Sequence, residues 1–276
     1  MTPVTSPALL REGPVVEGRT LTVVVLDVAV VAWLALAFLH AAPLASPAAQ
    51  PQHTGHHQMT PGNIPLPGLD GPALWLSGWA CMVVAMMLPP ALPLLRVARR
   101  LTVRRAHPGL LTTTTALAFL SVWLLAGICY VAGGELVQAV TGRFTALQEH
   151  PQVLSGLAAL AAGAYQFTPF KRACLDACRS PLSLAMTSWT GARPGRDAAK
   201  IGVRFGLVCV GCCWALMLLT FVVGVAAMPV MVIMAAVMAL ERLLPRFRPV
   251  VPFVGVGALV LGVLLLAGVV PPGLTS

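Results

Sequence analysis

The sequence predicts an all-α fold, a polytopic transmembrane helix bundle of about seven spans with its N-terminus inside. Hydrophobic residues make up 58% of the chain and charged residues only 10%, a balance foreign to ordinary soluble domains. Apolar runs near the length of roughly 20 residues that a bilayer demands recur along the chain. Nearly all Lys and Arg fall in the short segments between those runs. The net charge of +9 therefore reads as membrane topology, and no nucleic-acid partner is expected.

Residues 1–20 are mixed in character and form a cytoplasmic N-terminal tail. Residues 21–42 are a first transmembrane helix or signal anchor whose apolar run, 21–39, is interrupted by Asp27. Arg11 and Arg19 before it and the Ala/Pro/Ser-rich chain after it also fit a signal peptide. The run is long for an h-region, so an uncleaved helix is expected, and cleavage would leave six spans. Residues 43–72 form an external loop, rich in Pro and without Lys or Arg, that carries His53, His56, His57 and Met59.

Residues 73–272 hold a six-helix membrane domain. Its spans are expected near 73–95, 111–133, 153–170, 202–223, 229–241 and 251–271. The segments between them carry Arg96, Arg99, Arg100, Arg104 and Arg105, then Lys171 to Arg204, then Arg242, Arg246 and Arg248. With the His-bearing loop outside, seventeen of the eighteen basic residues lie on the cytoplasmic side and only Arg143 does not, as the positive-inside rule requires. The turns at 224–229 and 242–250 are short, so the last three spans are expected to pack as sequential antiparallel neighbours.

Sulfur is concentrated in two windows. Five of the seven cysteines are Cys174, Cys178, Cys209, Cys212 and Cys213. On a helix Cys209, Cys212 and Cys213 share one face, which Met217 extends by a turn, and Cys174 and Cys178 are neighbours on another. Lone thiols such as Cys81 and Cys129 read as packing. Five thiols at one depth exceed what packing needs, and thiolate and thioether ligands select Cu(I), with zinc the alternative for thiolates alone. Met82 and Met86 on one helix, and Met231, Met234 and Met238 leading to Glu241 on another, would line a thioether path. His53, His56, His57 and Met59 form a weaker external metal site. Asp27 and Glu241 are acids at membrane depth or at its edge, with Arg242 or Arg246 the expected partner of Glu241. Lys171, Arg172 and Arg179 read as orientation determinants.

Four stretches carry a resemblance. They are Trp79-Ala80-Cys81-Met82 with Ala85-Met86-Met87-Leu88-Pro89, and Tyr165-Gln166 with Thr168-Pro169, Lys171, Cys174 and Cys178-Arg179. The third is Cys209-Val210-Gly211-Cys212-Cys213-Trp214 with Met217, and the fourth runs from Met228 to Glu241. In these the chain resembles an uncharacterised bacterial family of predicted metal-binding integral membrane proteins. The resemblance implies a polytopic membrane protein with a metal site, and it supplies no reaction. Two positions depart from the family pattern, Pro229 in place of Asn and Arg242 in place of Lys.

No phosphate-binding loop, Ser/His/Asp arrangement or His-Glu-x-x-His pattern occurs, so no enzyme is expected. The function expected is binding, and transport, of a soft transition metal, Cu(I), by a multi-pass protein of the bacterial inner membrane. Its partners would be the lipid bilayer, the metal ion and a soluble metal-delivery protein. The alternatives are a membrane thiol–disulfide redox component and an assembly scaffold with a structural metal.

Overall fold

The protein's computed structural model describes residues 13–41, 72–143, 150–223, 228–243 and 250–269, with no strand among them. Ten α-helices follow in order: α1 (Gly13–Ala41), α2 (Pro72–Met87), α3 (Leu92–Thr102), α4 (Pro108–Thr141) and α5 (Pro151–Gln166), then α6 (Pro169–Arg179), α7 (Pro181–Ser188), α8 (Pro194–Val223), α9 (Met228–Leu243) and α10 (Val250–Leu266). Six of them begin on a proline, whose fixed φ suits a first helical residue and whose missing N–H would have had no partner there. Proline thus sets most of the helix starts.

Among the described residues, three helices are long and apolar enough to cross a membrane: Gly18–Phe38, Pro108–Thr141 and Pro194–Thr220. The count is four if the bent pair α2 and α3 forms one span. The expected helix at 73–95 is not continuous. Pro89 and Pro90 pass through a single 3-10 turn, Pro89–Ala91, and the axis bends by 49°, because proline removes the ladder donor and crowds the preceding turn. The expected span at 153–170 stops at Gln166. Thr168 and Pro169 start a new helix, the Thr168 hydroxyl accepting from the Lys171 backbone N–H at 3.2 Å, an N-cap with proline behind it. The helices matching the spans at 153–170 and 229–241 have 16 residues each, and Val250–Leu266 is a shorter apolar helix.

Helix α8 is the centre of the bundle, packed along α4 on one side and against α5, α6 and α9 on others, while α2 joins α1 to α4. The last helix departs from expectation. It lies chiefly along α5 and not along α9. Glycines on both helices explain this. A Cβ placed on Gly163 would meet the Gly255 carbonyl at 2.9 Å, and one on Gly262 would meet the Gly156 carbonyl at 2.9 Å. Backbones approach this closely only where the side chain is a hydrogen.

The contact of α4 with α8 has the same basis at Gly202, where an added Cβ would stand 2.3 Å from the Thr115 carbonyl oxygen. Neither backbone can yield without parting the helices. Gly202→Ala is expected to destabilise the protein by about 1–3 kcal/mol, read as a lower midpoint of thermal unfolding in detergent. A midpoint within error of wild type would contradict this packing.

Candidate metal centre

Three of the four helices that carry the predicted sulfur residues, α2, α8 and α9, meet α6 in one buried core. On α8 the 3.6-residue repeat puts Cys209, Cys212, Cys213 and Met217 on the inward face, and each is 1% exposed or less. Helix α6 lies across that face and brings in Cys178, also buried. The Cys178 Sγ is 3.5 Å from the Cys212 Sγ, which is 3.3 Å from the Cys213 Sγ. Cys212 donates to the Cys209 carbonyl at 3.2 Å, and the Cys209 side chain is fully buried one turn away on the same face. Four buried thiols from two helices thus gather in one cluster, three of them in direct contact.

Cys174, one turn earlier on α6, does not join it. Its sulfur rests over Gly211, where a Cβ would approach to 2.8 Å, and the residue is half-buried. Desolvation pushes the Cys174 thiol up from its ordinary pKa. The predicted five-sulfur cluster is therefore four sulfurs with a fifth beside it. Gly211 also receives a hydrogen bond on its carbonyl from the Tyr165 hydroxyl, and Tyr130 donates to the Trp214 carbonyl at 2.9 Å. These two bonds hold the cysteine turns of α8 in place from opposite neighbours, α5 and α4.

Charge enters the thiol group through Arg242. This guanidinium is almost fully buried, with one nitrogen 4.0 Å from the Cys178 Sγ and the other 3.9 Å from the Met87 Sδ. It also lies 5.6 Å over the Phe205 ring. The expected pairing of Glu241 with Arg242 is thereby corrected. Adjacent residues on a helix point about 100° apart, so Arg242 faces the sulfurs while Glu241 faces α6. The partner of Glu241 is Lys171, at 2.8 Å, both side chains 1% exposed or less. Arg246 lies outside the described residues.

Lys171, expected as an orientation determinant, is in addition a buried ion-pair member. Arg179 clamps the same place, its guanidinium donating twice to the Glu241 carbonyl at 2.9 and 2.6 Å. Beside the pair is a cavity of about 310 Å³ whose wall includes Gln166, Lys171 and Leu175. Gln166 is buried there with neither amide atom partnered among the described residues.

Met82, Met86, Met217, Met231 and Met238 are buried in the same core as the thiols, and Met234 packs against it partly exposed. Asp27 is on an exposed position of α1. His53, His56, His57 and Met59 lie outside the described residues. Cys81 bonds weakly to the Ala32 carbonyl of α1 at 3.7 Å, and Cys129 is exposed. Sequence reasoning missed Met87 and the role of Arg242. The doubled methionine before Pro89 was a signal for the first. For the second the only signal was a basic residue where a helix was still apolar.

Among the described residues no three or more His, Cys, Asp and Glu side chains stand around a ready position for an ion. The sulfurs touch each other instead. Two sulfurs on one tetrahedral metal with bonds of about 2.3 Å are about 3.8 Å apart, so the 3.3 and 3.5 Å contacts must open slightly on loading. The donor set itself suits a soft ion: four thiols with methionine thioethers in the same buried core. A family model described as PpoB2, copper chaperone, matches residues 76–265. No curated protein and no solved structure matches the chain.

Proposed function

The chain belongs to this copper chaperone family, matched over well more than half its length, and from that premise we propose that it receives Cu(I) as cargo at Cys178, Cys209, Cys212 and Cys213. The single observation that carries the reading is the buried cluster of those four thiols, three of them in contact. Cu(I) prefers soft sulfur ligands, and loading exchanges thiol protons for the ion. The thioethers of Met82, Met86, Met87, Met217, Met231 and Met238 share the core and supply neutral ligands that bind an ion without trapping it. Met234 at the edge of that core extends the path.

The protein works as a carrier without a catalysed reaction, in the bacterial inner membrane, with seven spans and an inside N-terminus. The loading of basic residues into the intervening segments supports that topology, and so does an apolar outer surface. Leu110, Leu117, Leu125 and Ile128 on α4, with Phe253, Val256, Val260 and Val263 on α10, are all more than half exposed. Lipid is the solvent that such a surface suits. The external His53, His56, His57 and Met59 would collect the ion, and a soluble metal-delivery protein would complete the transfer on the cytoplasmic side. Zinc is the competing cargo for a thiolate set.

A second reading, thiol–disulfide exchange, is favoured by the 3.5 Å contact of Cys178 with Cys212 across two helices. One experiment separates the two. Metal content is measured by mass spectrometry on anaerobically purified protein, wild type beside a Cys209/Cys212/Cys213→Ser triple variant. Copper near one equivalent in the wild type, absent from the variant, is expected. Zinc in place of copper, or metal-free protein with Cys178 and Cys212 cross-linked, would sink the copper reading.

A further inference from the structure

We infer that Arg242 is the specificity-determining counter-charge of the thiol cluster, a positioned cation that lets four buried cysteines hold a monovalent ion as an anionic dithiolate. The inference rests on the copper reading above and deepens it.

Arg242 is 5% exposed and among the described residues has no carboxylate partner. The nearest carboxylate in sequence, Glu241, is engaged by Lys171. A buried guanidinium without an anion is costly, and such a group persists where an anion is supplied. Its neighbours are the Cys178 Sγ at 4.0 Å, the Met87 Sδ at 3.9 Å and the Phe205 ring at 5.6 Å. None of these is charged while the cysteines are protonated.

Loading supplies the anion. One Cu(I) displaces the protons of two thiols, which leave to solvent, and two Cu–S bonds replace two S–H bonds with no change of oxidation state. The product, one cation bound by two thiolates, carries a single negative charge. One guanidinium balances it, and the Lys171–Glu241 pair is already neutral. A Zn²⁺ closed by four thiolates carries two negative charges, of which Arg242 cancels one. In a site this buried the uncompensated charge is what discriminates between the ions. Cu(I) selectivity then comes from the charge count as well as from sulfur softness. Arginine suits the position because its guanidinium stays protonated and is weakly hydrated, and because it stacks on Phe205.

The test is Cu(I) affinity by competition with a colorimetric Cu(I) chelator, and Zn²⁺ affinity by a chromogenic zinc chelator. Full-length wild type, Arg242→Met, Arg242→Gln and Arg242→Lys are compared in detergent under anaerobic conditions. Both neutral variants are expected to weaken Cu(I) binding about a hundredfold, and Arg242→Lys to recover most of that loss. Thermal unfolding of each metal-free variant reports folding, and whichever neutral variant melts like wild type carries the comparison. Equal Cu(I) affinity in a folded neutral variant would overturn the inference, as would equal loss in Arg242→Lys, since shape and not charge would then be at stake. Wild-type protein that takes no Cu(I) would instead overturn the copper reading, and this inference with it.

Discussion

Cys178→Ala is expected to weaken Cu(I) binding by more than about a hundredfold, whereas Cys174→Ala is expected to change it by less than about threefold. The two cysteines are one turn apart on α6, so composition and helix propensity are matched between the variants. Their sulfurs are not equivalent. Cys178 touches Cys212 at 3.5 Å and Arg242 at 4.0 Å, while Cys174 rests against the backbone of Gly211. Removing a group that only orients a ligand costs metal sites about 10–100-fold in affinity, and loss of the one thiol that α6 contributes to the cluster should cost more. Equal losses in the two variants would mean that α6 turns to present both sulfurs on loading, and the four-thiol assignment would fail. Competition with a Cu(I) chelator reads the difference directly.

Helical periodicity made one half of this site legible. Cys209, Cys212, Cys213 and Met217 are predicted to share a face from their spacing, and all four are buried together on α8. The same arithmetic put Cys174 beside Cys178, which is correct as far as α6 alone is concerned. What it could not supply was the rotation of α6 against α8, set by the Thr168 cap and by the close approach at Gly211. Nor could local pattern find the partner of Glu241. Two adjacent residues of opposite charge suggest a pair, yet on a helix they diverge, and the cation for Glu241 came from 70 positions away. Proline boundaries were readable where one proline begins a helix. They were underestimated at Pro89-Pro90 and at Thr168-Pro169, where a continuous apolar run conceals a break that only backbone donors and sterics impose. The pairing of α10 with α5 depends on small residues matched across two helices, which a single helix's pattern does not reveal.

Lys171→Met should destabilise the protein by about 3–5 kcal/mol, the range for removing one member of a buried ion pair. Both side chains are essentially inaccessible, so little solvent screening reduces that figure. The Glu241 carboxylate would lose its only partner among the described residues, because its second oxygen already has none and Arg179 holds the backbone carbonyl instead. The double variant Lys171→Met with Glu241→Leu is expected to recover most of the loss, since well-packed apolar groups often replace a buried pair at little cost. Stability and function then part company. The pair and the Arg179 clamp tie α6 to α9, and so help hold Cys178 and Arg242 in register with the α8 thiols. If that register sets affinity, the double variant melts near wild type yet binds Cu(I) more weakly, because an apolar contact fixes the helices less sharply than a 2.8 Å ion pair. If the double variant regains both, Lys171 and Glu241 contribute to the fold alone, and the alignment of the thiols rests on the packing of α6 against α8.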